Sequence, residues 1–298
     1  MNAFKPILST LIVMSIMTPL YAADLVKAKA KPKEAPDRCA KSEPAKGTPE
    51  VPGGDIFGFT DATDIGDPCS WGFSSENDIR AGRRDGRYFA LNRKSEIGYT
   101  VSDRVAVSFG FFDAYTRWRD VNALQDTLAG EGDGVVLDRL SRFGFDGLSF
   151  EALYRVLARS PGQPWAVTIG AEPRWSRLDG ATGYRAEGVG VELKIFADVA
   201  LADQWFAAMN FVYELGATKF DIPNATRTES SATTFSAALT KQIYAAEKRP
   251  IEAVYLGVEG RVLSSYEGLG LDHNVGDAFF LGPTLALALA GDRMLNIV

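Results

Sequence analysis

The strongest constraint in this sequence is an alternation of apolar and polar or small side chains that recurs along most of the chain after about residue 70. In 284–290 the leucines fall on one face and the alanines on the other. The same period is found in 148–158, 165–174, 189–199 and 251–262. Successive side chains of a β-strand point to opposite faces, so this period predicts strands and disfavours helices. The chain is therefore predicted to be all-β.

The predicted strands are long, and they follow one another as hairpins. Strands of soluble proteins usually have about 5–6 residues, whereas a tilted strand that crosses a bilayer needs about 9–11. Length, hairpin order and an export signal together favour an antiparallel up-and-down transmembrane β-barrel. A soluble periplasmic ligand-binding barrel remains the alternative, because periodicity alone does not say which face is inside. The ten predicted strands cover 71–83, 87–99, 104–119, 143–159, 164–178, 184–201, 204–220, 229–244, 250–266 and 277–290.

The connections between these strands alternate in length, as is typical of outer-membrane barrels. The short turns are predicted at 100–104, 160–164, 202–204, 245–250 and 291–293. The longer loops are predicted at 120–142, 179–183, 221–228 and 267–276. The short turns would lie in the periplasm and the longer loops outside the cell.

The end of the sequence leaves the strand count open between ten and twelve. Bacterial single-chain barrels have an even number of strands, and ten strands satisfy that rule. Residues 294–298 then form a tail. In the alternative they begin the eleventh strand of a twelve-strand barrel whose last hairpin is missing.

The polar faces of the strands carry charges of both signs. An Arg or Lys in the middle of the hydrocarbon costs about 2–4 kcal/mol, so these faces are predicted to line the lumen. Mixed charges either pair across the lumen and fill it or line a small water path, and both alternatives stay open. The predicted lumen-lining residues are Lys94, Glu96, Glu151, Arg155, Glu172, Arg174, Glu192, Lys194, Asp198, Glu214, Glu259 and Arg261.

The N-terminal part is predicted to be a leader followed by a linker. Residues 1–23 contain an apolar run that ends in small residues, which indicates a secretory signal peptide. Residues 24–69 combine a Lys/Pro/Ala-rich linker with an Asp-rich segment, and the barrel domain is assigned to 70–298. Ile56, Phe57 and Phe59 are predicted to plug or staple the Asp-rich segment against the barrel. In an oxidising compartment the two cysteines, Cys39 and Cys69, favour one disulfide.

Composition narrows the function classes. The formal net charge of −6 disfavours nucleic-acid binding. One histidine and two cysteines exclude a multi-histidine metal site, and no metal or cofactor is predicted. An outer-membrane hydrolase would have to use His273, in the predicted 267–276 loop, with Ser264 or Ser265 nearby in sequence. A histidine in such a loop is usually a solvated turn residue, so the chain is predicted not to be an enzyme.

Three segments carry a resemblance to a known group of proteins: FGFTDATDIGD at 57–67, GRRDGRY at 82–88 and YEGLGLD at 266–272. With them, most of the chain after the leader resembles uncharacterised outer-membrane β-barrel proteins of alphaproteobacteria. The resemblance implies about twelve strands and an outer-membrane location, with outer-membrane lipids and the barrel-assembly machinery as partners. It assigns no chemistry. The chain departs from the usual terminal aromatic residue of such barrels by ending in Val298. The predicted function is a passive small-solute channel or a structural envelope protein.

Overall fold

A computed structural model describes residues 39, 48, 51, 56–83, 85–130, 137–246, 248–290 and 293–298. The described part is built almost entirely of long strands, with one nine-residue helix, α1 (Asn122–Gly130). Within it, no helix is both long and apolar enough to cross a membrane. The strands are β1 (Trp71–Ala81), β2 (Arg87–Thr100), β3 (Val105–Arg119), β4 (Arg139–Leu157), β5 (Trp165–Leu178), β6 (Arg185–Ala200), β7 (Trp205–Phe220), β8 (Thr228–Ala245), β9 (Ile251–Glu267), β10 (His273–Leu289) and β11 (Arg293–Ile297).

Each strand pairs antiparallel with the next, so the eleven strands form one sheet in sequence order. Side chains of β1 and β9 line one common cavity, which shows that the sheet curls around an interior. In the described residues the sheet order starts at β1 and stops at β11, and no pairing joins these two edges. The predicted all-β, up-and-down antiparallel architecture is confirmed as this curled, barrel-like sheet.

The structure corrects the strand list in three places. Arg293–Ile297, a tail in the ten-strand interpretation, forms β11 and pairs with Leu285–Leu289 of β10. Strand β10 begins at His273 instead of 277, because its first residues pair with the end of β9. Strand β4 begins at Arg139 instead of 143, and α1 occupies part of the predicted 120–142 loop. This helix was not predicted because the segment is short and lies between strong strand signals.

The two faces of the sheet differ in chemistry as the alternation predicts. Polar and charged side chains on the inner face are buried, among them Thr168, Asp198 and Glu259, each 0% exposed. The outer face exposes large apolar side chains along nearly every strand. Examples are Phe109, Phe150, Ile169, Leu193, Phe211, Phe235, Leu256 and Val258.

The two ends of the curled sheet are built differently. The "strap end" is the end at which β2, β4, β6, β8 and β10 finish. The "loop end" is the end at which β1, β3, β5, β7 and β9 finish and their loops begin. Gly86, in the first of these loops, has a φ of +66°, and a Cβ there would lie 2.2 Å from the Asp120 carbonyl oxygen. Only glycine accommodates both constraints, so this residue lets two loops approach closely.

Candidate functional site

The candidate site is the interior of the curled sheet, and its main feature is a segment that precedes β1. We call residues 56–66 the "strap". The Phe57 carbonyl accepts a hydrogen bond from Asn296 Nδ2 of β11 at 2.8 Å, and the Ile65 carbonyl accepts one from Thr100 Oγ1 of β2. These two strands lie near opposite edges of the sheet. The strap therefore crosses the interior at the strap end before the chain enters β1.

Glu259 of β9 holds the first half of the strap. Its carboxylate accepts hydrogen bonds from the backbone N–H groups of Gly58, Phe59 and Thr60, the latter two at 2.9 and 3.1 Å. Charge-assisted hydrogen bonds of this kind are roughly twice as strong as neutral ones. The hydrogen bonds from the strap backbone therefore offset the cost of burying the Glu259 carboxylate, which is 0% exposed.

Asp198 of β6 holds the second half. It accepts hydrogen bonds from the backbone N–H of Thr63 at 2.7 Å and from Thr63 Oγ1 at 2.8 Å, and it forms an ion pair with Arg159. Thr168 Oγ1 of β5 donates to the Thr63 carbonyl at 2.9 Å. Each polar group of Thr63 is therefore bound to the wall of the barrel.

Apolar contacts and two further links complete the strap. Ile56 and Phe57 are buried in a cluster with side chains from β7 to β11, which confirms the predicted plug for these two residues. The Phe59 ring lies 6.0 Å from the Arg261 guanidinium carbon. Arg155 of β4, which was predicted to line the lumen, forms an ion pair with Asp64 at 3.1 Å.

The predicted disulfide is present beside the strap. Cys39 and Cys69 are bonded, with their Cα atoms 5.4 Å apart. The Cys69 N–H donates to the Thr100 carbonyl at 2.7 Å, which fixes this half of the disulfide to the end of β2. The bond encloses the strap in a covalent loop, since Cys39 precedes the strap and Cys69 follows it.

On the loop-end side of the strap, charged side chains of β2, β4, β5 and β6 form a network centred on two lysines. Lys194 of β6 contacts Glu151 at 2.7 Å and Glu192 at 3.2 Å, and it also forms an ion pair with Glu172. Lys94 of β2 contacts Glu172 at 2.7 Å and Glu96 at 2.9 Å. These six predicted lumen residues are thus brought together. Each lysine therefore has carboxylate partners, so these charges pair within the interior, but they do not fill it, because a cavity remains beside them.

The remaining predicted residues line an interior cavity of about 630 Å³. Arg174 forms an ion pair with Asp146 at 3.1 Å and stacks over Phe112, whereas Glu214 and Arg261 face the open space. The acidic residues around the cavity are Asp61, Asp64, Glu76, Asp78, Glu96, Asp113, Asp146, Glu151, Glu172, Glu192 and Glu214. The basic residues are Arg80, Arg93, Lys94, Arg174, Lys194 and Arg261. With eleven acidic against six basic residues, the cavity wall has an acidic surplus.

Several cavity residues were absent from the sequence prediction. Glu76, Asp78 and Arg80 of β1 occupy alternate positions, and that spacing is a signal that could have found them. It was weak because the opposite face of β1 also carries polar residues. Asp146 lies close to the register shift at Phe112/Asp113, where the simple alternation of β4 is interrupted.

Asp61 of the strap faces the cavity next to Asn210 of β7. Loss of bulk water inside the barrel raises the pKa of the Asp61 carboxyl to about 6, and the nearby positive charge of Lys194 opposes this rise. Of the other charges that act on Asp61, Glu76 raises its pKa, whereas Lys94 and Arg261 lower it. The side chain remains accessible within the cavity although protein surrounds it. Asp61 therefore changes its charge in a weakly acidic range.

The loop end is closed by a different kind of structure. The 179–184 loop folds inward, where Trp118 Nε1 donates to the Thr182 carbonyl at 2.7 Å and Arg80 donates to the Gly180 carbonyl at 2.9 Å. A Cβ at Gly183, whose φ is +68°, would lie 2.5 Å from Thr116 of β3. An apolar cluster fills the remaining space. It comprises Tyr88, Ala90, Trp118, Val121, Leu124, Leu128, Leu140, Ala186, Phe220, Ile222 and Ala225.

The structure places His273 at the start of β10, opposite Glu267 of β9, and not in a loop. Ser264 lies opposite Asp277 and Ser265 opposite Gly276, further along the same hairpin. The pairing register therefore brings neither serine opposite the histidine.

Comparison with known proteins gives one family and no named relative. The sequence profile of a family of unknown function (DUF6662) matches residues 49–293, which include the strap and the sheet up to the first residue of β11. A search of curated proteins found no match to this sequence.

Proposed function

The chain belongs to the DUF6662 family of unknown function, and we propose that it is an outer-membrane β-barrel protein with a structural role in the envelope, closed by its own strap. The leader at 1–23 would export the chain, and the barrel-assembly machinery would insert it among the outer-membrane lipids. The short connections of the strap end would then face the periplasm, and the loop end would face outward.

The observation that carries this proposal is the inverted arrangement of the sheet. Buried charges such as Asp198 and Glu259 lie inside, while Phe109, Phe150 and Phe235 are each nearly half exposed on the outer face. A soluble barrel would expose the charged face and bury the phenylalanines. Exposed apolar area on this scale favours a lipid environment. The inverted arrangement therefore supports the membrane alternative over a soluble ligand-binding barrel.

A closed interior favours a structural role over an open pore. The strap crosses one end of the interior, and the inward-folded 179–184 loop with the apolar cluster fills the other end. Between them, the lysine–carboxylate network links β2, β4, β5 and β6. Passage of a solute along this interior would require movement at both ends.

The cavity itself favours a second candidate function, a gated passive channel. Its wall has a surplus of acidic residues, and the strap that closes it is held largely by hydrogen bonds and ion pairs. A pore opened by release of the strap and by movement of the 179–184 loop would select cations, because a negative wall attracts them and repels anions. Such a channel would pass small solutes only, since the cavity measures about 630 Å³.

The first experiment tests the location and the closed barrel. Protein from a purified outer-membrane fraction is compared on a gel before and after boiling. We expect it in that fraction, with unboiled protein migrating differently from boiled protein. Absence from the fraction, or a soluble protein released with the periplasm, would contradict the proposal.

Conductance in a planar bilayer then separates the two functions. The wild type is compared with a double variant, Glu259→Gln with Asp198→Asn, which weakens the strap anchors. A matched control, Glu214→Gln, removes a cavity carboxylate that does not bind the strap. Silence of all three proteins supports the structural role. Cation-selective conductance of the double variant alone supports the gated channel, and open conductance of the wild type would contradict a closed interior.

A further inference from the structure

The outer face of the sheet carries a row of basic residues at the loop end, which we call the "collar". Its members are Arg87, Arg117, Arg119, Arg139, Arg177, Arg185 and Lys219, all exposed. They alternate with inward-facing residues of the apolar cluster such as Tyr88, Trp118, Leu140 and Phe220, which are buried. Since neighbouring strand residues point to opposite faces, the collar side chains point away from the interior.

Three collar arginines stand directly opposite one another on adjacent strands. Arg87 of β2 pairs in register with Arg119 of β3, and Arg119 pairs with Arg139 of β4. Like charges directly opposite each other on a sheet are destabilising. Asp120 contacts Arg119 at 3.3 Å, and both side chains are about two-thirds exposed. The adjoining loop ends also carry Asp85 and Asp138. With Arg117 on the same face, the arginines outnumber the three carboxylates, and a bound anion would compensate this surplus.

The collar continues into a groove of about 650 Å³ between β4 and β5–β7. The groove forms where β4 and β5 diverge. The pairing of these two strands ends at Gly147↔Ser176, whereas β4 extends to Arg139. Gly147 lies close to the β4 register shift, and the 179–184 loop that follows β5 folds into the interior. Residues 139–146 of β4 therefore have no pairing partner on β5.

The groove combines aromatic and cationic side chains. Phe143, Phe145 and Trp175 form its apolar part, with the last two rings 6.3 Å apart. The cations are Arg142, Arg177, Arg185 and Lys219, and the anions are Glu187 and Asp221. The net charge is positive. Arginines beside aromatic rings at the edge of an apolar band suit a ligand with a phosphate head and acyl chains.

We propose that the collar and its groove bind the phosphorylated headgroup of the glycolipid that faces the loop end, lipopolysaccharide. The arginines hold the lipid A phosphates, and the acyl chains lie along the apolar outer face below. This proposal rests on the outer-membrane location proposed above. At the strap end, the outer-face cation Lys241 of β8 stacks over Trp205.

The test measures lipid binding to the purified full-length protein in detergent by native mass spectrometry. The probes are bisphosphorylated lipid A, the same lipid after removal of both phosphates, and inorganic phosphate as a competitor. One variant carries Arg87→Gln, Arg119→Gln and Arg139→Gln, and a second carries Arg177→Gln, Arg185→Gln and Lys219→Gln. The control removes three cations from the strap end: Arg104→Gln, Lys241→Gln and Arg249→Gln.

We expect each collar variant to bind bisphosphorylated lipid A at least about tenfold more weakly, as loss of charge-assisted hydrogen bonds implies. The control should stay within about twofold, and dephosphorylated lipid A should bind wild type and collar variants equally weakly. Preferential binding of free phosphate would assign the collar to a soluble anion and overturn the lipid proposal. Equal binding of both lipids, or unchanged affinity in both collar variants, would also overturn it.

Two controls separate this proposal from its premise. Binding in detergent is independent of cell fractionation, so a protein missing from the outer membrane contradicts the location while the binding data still test the collar. Each variant is checked for its heat-dependent gel shift. If a triple variant loses the shift, Arg139→Gln alone is measured, because this exposed position at the first residue of β4 leaves the strand pairing intact.

Discussion

Both ends of the curled sheet contain an apolar cluster, but only the strap end adds backbone hydrogen bonds to buried carboxylates. At the strap end, backbone N–H groups of a crossing segment bind the buried carboxylates Glu259 and Asp198. At the loop end, an apolar cluster around Trp118 and Leu128 fills the opening, and each of these side chains is at most 1% exposed. Apolar burial is non-directional and large in sum, whereas each hydrogen bond is small in net terms and depends on its geometry.

This difference is expected to make one closure costlier to open than the other. Removal of the loop-end cluster would expose apolar surface to water throughout that end of the fold. Release of the strap would exchange its hydrogen bonds for bonds to water at a modest net cost, would expose Ile56 and Phe57, and would leave the strap tethered by its disulfide. We therefore expect the strap end to open before the loop end.

The largest expected effect is at the loop end. Trp118→Ala removes a nearly fully buried ring and the donor to the Thr182 carbonyl. We expect a loss of about 3–5 kcal/mol in the free energy of unfolding, because truncation of a buried aromatic leaves a cavity. The temperature at which the unboiled gel species disappears measures this loss.

A matched tryptophan supplies the control for that prediction. Trp165→Ala removes a side chain that is 42% exposed on the outer face, and we expect a smaller fall in the same transition temperature. Trp118→Phe keeps most of the packing and loses only the hydrogen bond. Its transition temperature should therefore lie between those of Trp118→Ala and Trp165→Ala. Equal effects of the two alanine variants would show that the cluster does not dominate the stability of the loop end.

A smaller and local effect is expected at the strap. Glu259→Gln replaces a charged acceptor of three backbone N–H groups by a neutral one. A weakening of about 1–2 kcal/mol is expected, since hydrogen bonds to charged groups are the stronger ones. Hydrogen exchange at the amides of 58–60 should accelerate about tenfold, while the amides of β3 keep their protection.

The control for Glu259 is Glu214→Gln, which changes a cavity carboxylate without touching the strap. Exchange at 58–60 should then match the wild type. If Glu259→Gln accelerated exchange throughout the sheet, the strap would be part of the global folding unit and not a separable closure.

The smallest expected effect is a dependence of the strap on pH. The pKa of Asp61 is raised to about 6 in the folded protein from an ordinary value of 3.8, so the folded state binds the proton more tightly than the unfolded chain. The stabilisation that protonated Asp61 gives the folded state is fully present below the ordinary pKa of 3.8. It is lost as the pH rises through about 6. Strap release should therefore be easier at neutral pH than at weakly acidic pH.

Hydrogen exchange at the backbone amides of 58–63 measures the pH dependence of strap release. The wild type and Asp61→Asn are compared at about pH 5 and pH 7, with rates corrected for the intrinsic effect of pH. The wild type should exchange relatively faster at the higher pH, and the variant should show a weaker dependence. The opposite sign, with protection increasing as pH rises, would mean that the charged form of Asp61 binds the wall. The pH effect on exchange is expected to be small, because the Asp61 side chain is accessible from the cavity and solvent there screens its charge.

Much of the architecture was predictable because strand periodicity is a local property. The faces of β5, β6 and β9 follow directly from alternate residues, and the predicted residues on their polar faces lie inside the curled sheet. The bounds were less accurate where a strand continued without strong alternation. Residues 273–276 were predicted as the end of a loop, and their pairing with β9 makes them part of a strand.

The roles of the interior residues were not predictable in the same way. Asp198, Glu259 and Lys194 look alike in sequence as charges on polar faces, yet the first two bind the strap and the third joins carboxylates of its own and neighbouring strands. Their partners on other elements lie between 22 and 201 positions away along the chain, whereas Glu192, on the same strand as Lys194, lies two positions away. Such distant contacts depend on register and curvature, which one-residue shifts such as that at Phe112/Asp113 alter.

The sequence by itself determined the antiparallel strands, the charged interior and the apolar exterior, because each depends on residues close together in the chain. It also indicated the Cys39–Cys69 pair and the burial of Ile56 and Phe57. Only the tertiary structure decided that the strap crosses the interior, that it binds Glu259 and Asp198, and that the collar arginines form a row. These features require the curvature and register of the whole sheet, which no local pattern encodes.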